Sequence, residues 1–349
     1  MSKRKTLLIF GHYGVPNWGD EAILAGMLSQ INMERWRVVV VSSNPQFTKS
    51  HSGVKGVYPP PFGIRSFFTD WWSFFQELKS ADLVAFGGGG LFQDSPPKAF
   101  LLWRWYFWIC GLFQKKVIFL GNSFEPFKKP KNQILMEKIL VKVPFCSVRD
   151  SLSAKNFPKN LQDKISLSTD AAYFLPFTPK KGRKTEILLS FREGELSQSQ
   201  EKGVIKFLQE AFSEEWKTGK ITVLSMQSHQ SSDEKFAKRH ALPVCVPQNV
   251  LEVQERIASA KYVLTTRLHA GILASIVGTP FTAIATRKKI SQFFGEKFSV
   301  FPQKFLSSTG KKKFLENLQH LPAYKKEILA FTEAQKEKLE YFFPEFLRS

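Results

Sequence analysis

Short β-rich runs alternate with helix-length amphipathic segments from one end of this chain to the other, and no other feature constrains its fold as much. Candidate strands are residues 7–10, 37–42, 83–86, 117–120 and 145–148, then 187–191, 221–225, 243–246, 262–265 and 281–285. Helical periodicity falls between them, as at 21–31, 202–212, 250–260 and 268–277. Strands joined through a helix pair parallel by right-handed crossovers rather than as hairpins. The expected class is therefore α/β with parallel sheets.

A Pro-, Gly- and Lys-rich stretch without periodicity, residues 176–184, separates two halves that each open on a fresh strand. With 349 residues the chain is long enough for two cores. The economical arrangement is two Rossmann-like domains facing across a cleft, residues 1–176 and 185–312. An amphipathic helical tail, 313–349, is expected to pack back on the first domain. Cys110, Cys146 and Cys245 lack metal-ligand spacing and read as buried thiols in a reducing cytosol. The apolar run 6–10 is too short for a secretory leader, and the most apolar later stretch, 100–113, is too short to span a bilayer. That stretch carries Trp103, Trp105 and Trp108, which suit either a core stripe or a membrane-facing surface.

The formal net charge is +20, with basic clusters at 128–131, 180–184, 287–289 and 311–313. No nucleic-acid-binding motif accompanies them, which argues against nucleic acid as the partner. They fit an anionic membrane surface or an anionic lipid-linked substrate, and equally a solvated basic exterior. The expected location is cytoplasmic, with peripheral attachment to the inner membrane face left open.

Three strings sit at strand ends. The first, residues 11–21, contains Gly14, Asn17, Gly19, Asp20 and Glu21 between a strand and a helix. Its glycines permit tight turns, Asp20 reads as the helix N-cap, and two carboxylates at the mouth favour sugar hydroxyls over a naked phosphate. Its spacing is neither the dinucleotide fingerprint nor a P-loop. The second runs through four successive glycines, Gly87 to Gly90, to Asp94. Gly88 and Gly89 suit close approach of a ligand, or merely tight packing of loop on helix; Asp94 is a candidate base. The third is Thr266-Arg267-Leu268-His269, where a strand gives way to a helix of small and apolar residues. Arginine offers a rigid fork for carboxylate or phosphate, and histidine a proton near neutral pH. Arg192 and Gln227 close neighbouring strands, Arg192 being either a second anion clamp or a surface residue. Arg149, Asp150 and Asp170 read as capping or ion-pairing groups.

Taken in order, the pieces at 11–24, 87–94, 148–151, 169–171, 225–227 and 267–269 resemble the polysaccharide pyruvyl transferase family of the CsaB type, with residues 278–280 continuing the last. The sequence departs from the family at 120–126, where a Gly-Gln-Gly-Ile-Gly-Pro-like turn is usual, and at 285–289, where Ala-Thr-Arg-Lys-Lys stands for a Tyr-Asp-Pro-Lys-like stretch. The resemblance implies a GT-B-like fold, phosphoenolpyruvate as donor, and a sugar of a cell-surface or lipid-linked glycan as acceptor. It implies donor-binding roles for Arg267 and His269, with Arg192 as second arginine and Gln227 beside them. On that footing His269 protonates the donor methylene, Asp94 or Asp20 assists the acceptor hydroxyl, and a second hydroxyl closes a ketal. Cationic side chains can hold the donor dianion, so neither a metal nor a resident cofactor is expected. A GT-B glycosyltransferase using a nucleotide sugar shares the architecture, although the basic stretch 286–289 stands where an acidic ribose ligand is usual. A non-catalytic basic protein would explain the charge and leave the glycine strings unexplained.

Overall fold

The computed structural model describes residues 4–59, 70–93, 97–178, 185–227 and 232–348. By compactness the chain divides into two units. One comprises Met1–Pro16, Asp20–Leu175 and Gln335–Ser349, the other Asn17–Gly19 and Pro176–Ala334.

The first unit begins with β1 (Lys5–Tyr13), α1 (Trp18–Leu28), β2 (Trp36–Ser42), α2 (Pro45–Ser52) and β3 (Lys55–Val57). It continues through α3 (Asp70–Ser80), β4 (Leu83–Gly89), α4 (Pro97–Leu112) and β5 (Val117–Asn122). Next come α5 (Pro130–Lys142), β6 (Cys146–Val148), α6 (Ser151–Asn156) and β7 (Ile165–Leu167). The strand order is β3-β2-β1-β4-β5-β6-β7, parallel throughout. Alternate side chains leave opposite faces of a strand, and here both faces are covered. Leu8, Phe10, Val84, Phe86 and Phe119 turn to one face, packed under α3, α4 and α5. Leu7, Ile9, Val38, Leu83 and Ile118 turn to the other, under Ile23, Leu24 and Met27 of α1.

The second unit contains β8 (Glu186–Ser190), α7 (Gln198–Ala211), α8 (Ser213–Lys217), β9 (Ile221–Leu224), α9 (Ser232–Arg239) and β10 (Val244–Cys245). After these come α10 (Val250–Ser259), β11 (Ala260–Thr265), α11 (Leu268–Ile276), β12 (Phe281–Ile284), α12 (Lys288–Phe298) and β13 (Ser299–Val300). Its sheet, order β10-β9-β8-β11-β12-β13, is also wholly parallel. Both orders are those of a doubly wound Rossmann sheet. Two of the cysteines, Cys110 and Cys146, are buried; Cys245, on the edge strand β10, is half-buried.

The chain ends with α13 (Pro302–Leu306), α14 (Ser308–Gln319), α15 (Leu321–Glu337) and α16 (Glu345–Arg348). Up to Ala334 this segment belongs to the second unit: the Tyr324 hydroxyl donates to the Phe281 carbonyl at 2.7 Å and Thr332 to that of Ser275 at 2.9 Å. From Gln335 it belongs to the first. Thr169 donates to Gln335 Oε1 at 2.7 Å, Ser168 to the Lys338 carbonyl at 2.9 Å and Ser147 to the Phe342 carbonyl at 2.8 Å. Phe342, Phe343 and Leu347 complete the core under α1. Truncating the fully buried Phe342 leaves a cavity there, so Phe342→Ala should destabilise the protein by about 3–5 kcal/mol, read as a fall in urea midpoint; an unchanged midpoint would mean the tail is dispensable.

Candidate functional site

In a doubly wound sheet, ligands bind beyond the carboxyl ends of the strands, at the point where successive connections leave toward opposite edges. That point lies between β1 and β4 in the first unit and between β8 and β11 in the second.

In the first unit the loops flanking it are the two glycine strings. The Tyr13 hydroxyl donates to the Gly87 carbonyl at 2.7 Å and ties them together. The Gly14 N–H donates to Glu21 Oε1 at 2.9 Å, so Glu21 closes its own loop. α1 begins at Trp18, three residues earlier than an Asp20 N-cap requires; Asp20 and Glu21 lie in its first turn, where carboxylates interact favourably with the helix dipole. Glu21 is buried, and burial pushes its carboxyl up to about 7, opposed by the Gly14 hydrogen bond and assisted by the nearby Asp20 charge. Gly88 has a positive φ of 69° and faces Ile23 of α1, where a Cβ would collide with the isoleucine. Its close approach is thus to a helix. Gly89 has nothing within 4 Å of the position a Cβ would take, and its carbonyl accepts from the Ser123 N–H at 2.9 Å. At the ends of β6 and β7, toward the edge of the same sheet, Arg149 pairs with Asp170 at 3.2 Å, both buried, while Asp150 and Asp170 cap α6 and the turn after β7. Asp94 lies outside the described residues.

In the second unit the switch point gathers Arg192, Gln227, Arg267 and His269. The Thr265 hydroxyl donates to the Ser190 carbonyl at 2.9 Å and accepts from the Arg267 N–H at 2.8 Å, and the Arg192 N–H donates to the Thr266 hydroxyl at 3.0 Å. Neighbouring strand ends are thereby locked, and with them the roots of both arginines. Arg267 stands at the N-cap position of α11, with His269 in its first turn. The Arg267 guanidinium is held on one edge by Asp233: Nε to Oδ1 at 2.9 Å and Nη2 to Oδ2 at 2.7 Å. Nη2 also reaches Ser232 Oγ at 3.1 Å and Gln227 Oε1 at 3.4 Å. Nη1 makes no hydrogen bond among the described residues. Burial pushes the fully enclosed Asp233 carboxyl above its usual range, and the Arg267 charge and the Met226 N–H pull it back. Arg192 is more exposed and lies 4.0 Å from Glu195, whose carboxylate also takes Arg287 at 3.0 Å and the Thr286 hydroxyl at 3.0 Å.

The same unit takes in Asn17–Gly19. Asn17 bridges Gln227 in antiparallel fashion, the Trp18 N–H donates to the Met226 carbonyl at 3.0 Å, and the Gly19 N–H donates to Asn17 Oδ1 at 3.3 Å. Gly19 lies against the His269 imidazole so closely that a Cβ would overlap the ring. Asp233 and Glu195, which organise the two arginines, have no signal of this role in the sequence. Asp233 reads there as an ordinary helix-start acid in Ser231-Ser232-Asp233-Glu234.

Two parallel-sheet units of this kind, each with its loops collected at a switch point, define a GT-B-type protein, and solved structures of that type match along almost all of the chain. Staphylococcus aureus MnaA, solved with UDP, is 12% identical with a TM-score of 0.56, covering 99% of this chain and 94% of its own. A glycosyltransferase from Rickettsia africae is 11% identical with a TM-score of 0.57, covering 96% and 94%. The UDP-GlcNAc 2-epimerase of Methanocaldococcus jannaschii is 12% identical with a TM-score of 0.56, covering 90% and 92%. No curated protein sequence matches the chain. The polysaccharide pyruvyl transferase family model matches residues 17–288, and the chain belongs to that family.

The raised carboxyl of Glu21 has a thermodynamic sign. The folded state holds this proton more tightly than the unfolded one, so stability falls as pH rises from about 4.5 to about 7 and is level above. Glu21→Gln keeps an acceptor for Gly14 and cannot ionise. It should melt higher than the parent at about pH 8, by an amount corresponding to about 2–3 kcal/mol, and show little difference at about pH 4. Equal differences at both pH values would contradict the assignment.

Proposed function

We propose that this protein transfers the pyruvyl group of phosphoenolpyruvate to two hydroxyls of one sugar in a cell-surface or lipid-linked glycan, forming a cyclic ketal and releasing phosphate. The observation that carries this reading is the assembly of Arg192, Arg267 and His269 at the switch point of the second sheet, within the stretch the family model matches.

Asp233 offsets most of the Arg267 charge, so Arg267 contributes direction more than net charge: its fixed plane presents Nη1 to a carboxylate or phosphate oxygen. The excess positive charge comes from Arg192, Arg287 and the N-terminus of α11. With the donor held there, His269 gives a proton to the methylene carbon, creating cationic character at the central carbon. An acceptor hydroxyl adds to that carbon and loses its proton to a carboxylate, for which Asp20, next in the chain after Gly19, and Asp94 are the candidates. The carbon–oxygen bond to phosphate breaks, and a second hydroxyl of the same sugar closes the ketal. Of the two hydroxyl protons, one replaces that drawn from His269 and one leaves with phosphate. The scheme needs phosphoenolpyruvate as co-substrate and no resident cofactor.

Phosphoenolpyruvate at about 100 times its dissociation constant should stabilise the protein by about 2.7 kcal/mol, a readily measured melting shift. Arg267→Ala should abolish that shift. His269→Ala should keep it while lowering turnover by about 10²–10⁴-fold. Stabilisation by a nucleotide sugar, with none by phosphoenolpyruvate, would replace this reading with a glycosyltransferase.

Asp233→Asn tests the supporting carboxylate. With the buried charge gone, Arg267 loses its anchor, and phosphoenolpyruvate should bind at least about tenfold more weakly while thermal unfolding stays cooperative. Unchanged affinity in a folded Asp233→Asn protein would show that Arg267 does not depend on it.

A further inference from the structure

Helix α4 has an outer stripe that the fold leaves uncovered. Its inner residues Phe100, Trp103, Tyr106, Ile109 and Cys110 are buried in the core. Leu101, Trp108 and Leu112 face outward, Trp108 at 57% and Leu112 at 60% exposure. Spaced at positions i, i+7 and i+11 and joined by the half-buried Trp105, they form one band about 16 Å long. The connections β4–α4–β5 and β5–α5–β6 set α4 and α5 on the same sheet face, and Phe100 meets Phe127, just before α5, at 5.0 Å. The outer side of α5 continues the band in mixed form: Ile134 and Val141, both more than half exposed, alternate with exposed Lys131, Lys138 and Lys142. Between them α4 and α5 carry five basic side chains against one acid, Glu137.

The geometry points to this face as a docking surface for an anionic lipid bilayer. Indole and branched aliphatic side chains flanked by lysines are what an interfacial surface needs: the apolar groups enter the headgroup boundary while the ammonium groups stay at phosphate level. No helix among the described residues is long and apolar enough to cross a membrane, so the contact would be lateral. A second copy of this chain is a poorer occupant, because a two-fold interface would set the same basic side chains against each other. Nucleic acid would satisfy the lysines and leave Leu101, Leu112, Ile134 and Val141 without a role. None of these residues belongs to the proposed donor site, so the inference stands apart from the transfer reaction.

The test is co-sedimentation of the full chain with vesicles of phosphatidylcholine alone or mixed with phosphatidylglycerol. The protein should pellet with the mixed vesicles only, and added salt should weaken binding. Trp108→Ser with Leu112→Ser should lower the partition coefficient at least about tenfold at unchanged melting temperature, as should Lys131→Gln with Lys138→Gln. Failure to pellet with the mixed vesicles would overturn the proposal. So would binding indifferent to Trp108 and Leu112, a dimer in light scattering that Trp108→Ser dissociates, or RNA binding unaffected by the same pair.

Discussion

Parallel strand pairing requires that the chain return to the same end of the sheet before each new strand, so each crossover is a helix and every strand ends on one edge. In both units the first strand formed stays central, with later strands added first to one side and then to the other. At the seam the two connections diverge to opposite faces, and only there does backbone remain uncovered by a following helix. Tyr13 and Gly87 meet across one such seam; Ser190, Thr265 and Thr266 meet across the other. Residues far apart in sequence are neighbours at these places because the topology permits nothing else.

What gathers at the carboxyl ends of the strands is polar, and burial makes partners obligatory. In the first unit Arg149 and Asp170 are nearly inaccessible and bonded to each other. In the second, Asp233 is wholly inaccessible and Arg267 almost so. Desolvating two such charges costs several kcal/mol per ion, which their attraction recovers only with good geometry. The fork of Arg267 on both oxygens of Asp233 meets that condition, and it fixes the guanidinium plane. A rigid arginine recognises a planar carboxylate or a phosphate at less entropic cost than a mobile one.

The alternation of strand and helix was legible from sequence because the central strands are continuous apolar runs, as strands buried on both faces must be. The edge strands β3, β7 and β13, of three, three and two residues, are not among the sequence-read strands, whereas the equally short edge strand β10 falls within the run 243–246. Arg192, Arg267 and His269 stood out because each ends or follows a central strand. Their acidic organisers did not: Glu195 lies in a loop and Asp233 in the first turn of α9, places where acids are ordinary, and Asp233 meets Arg267 from 34 residues away. The four glycines illustrate a harder ambiguity: composition cannot separate a backbone opened for a ligand from one cut away for a neighbouring helix. Gly88 proves to be the second kind, against Ile23, while the space beside Gly89 is open. Asp20 has the residue type of a cap but lies in the first turn, because the helix already begins at Trp18.

The hydrogen bonds from Ser147, Ser168 and Thr169 to the stretch 335–342 have a consequence in time. The segment that completes the first core leaves the ribosome about 160 residues after Leu175. At typical elongation rates that interval is roughly 10–30 s. Throughout it the sheet face that Phe342, Phe343 and Leu347 will cover stays open, while the second unit, which runs to Ala334, is made. The nascent chain therefore carries an unfinished apolar surface for longer than its first half takes to synthesise a single crossover, and that surface is where cellular holding factors would find it.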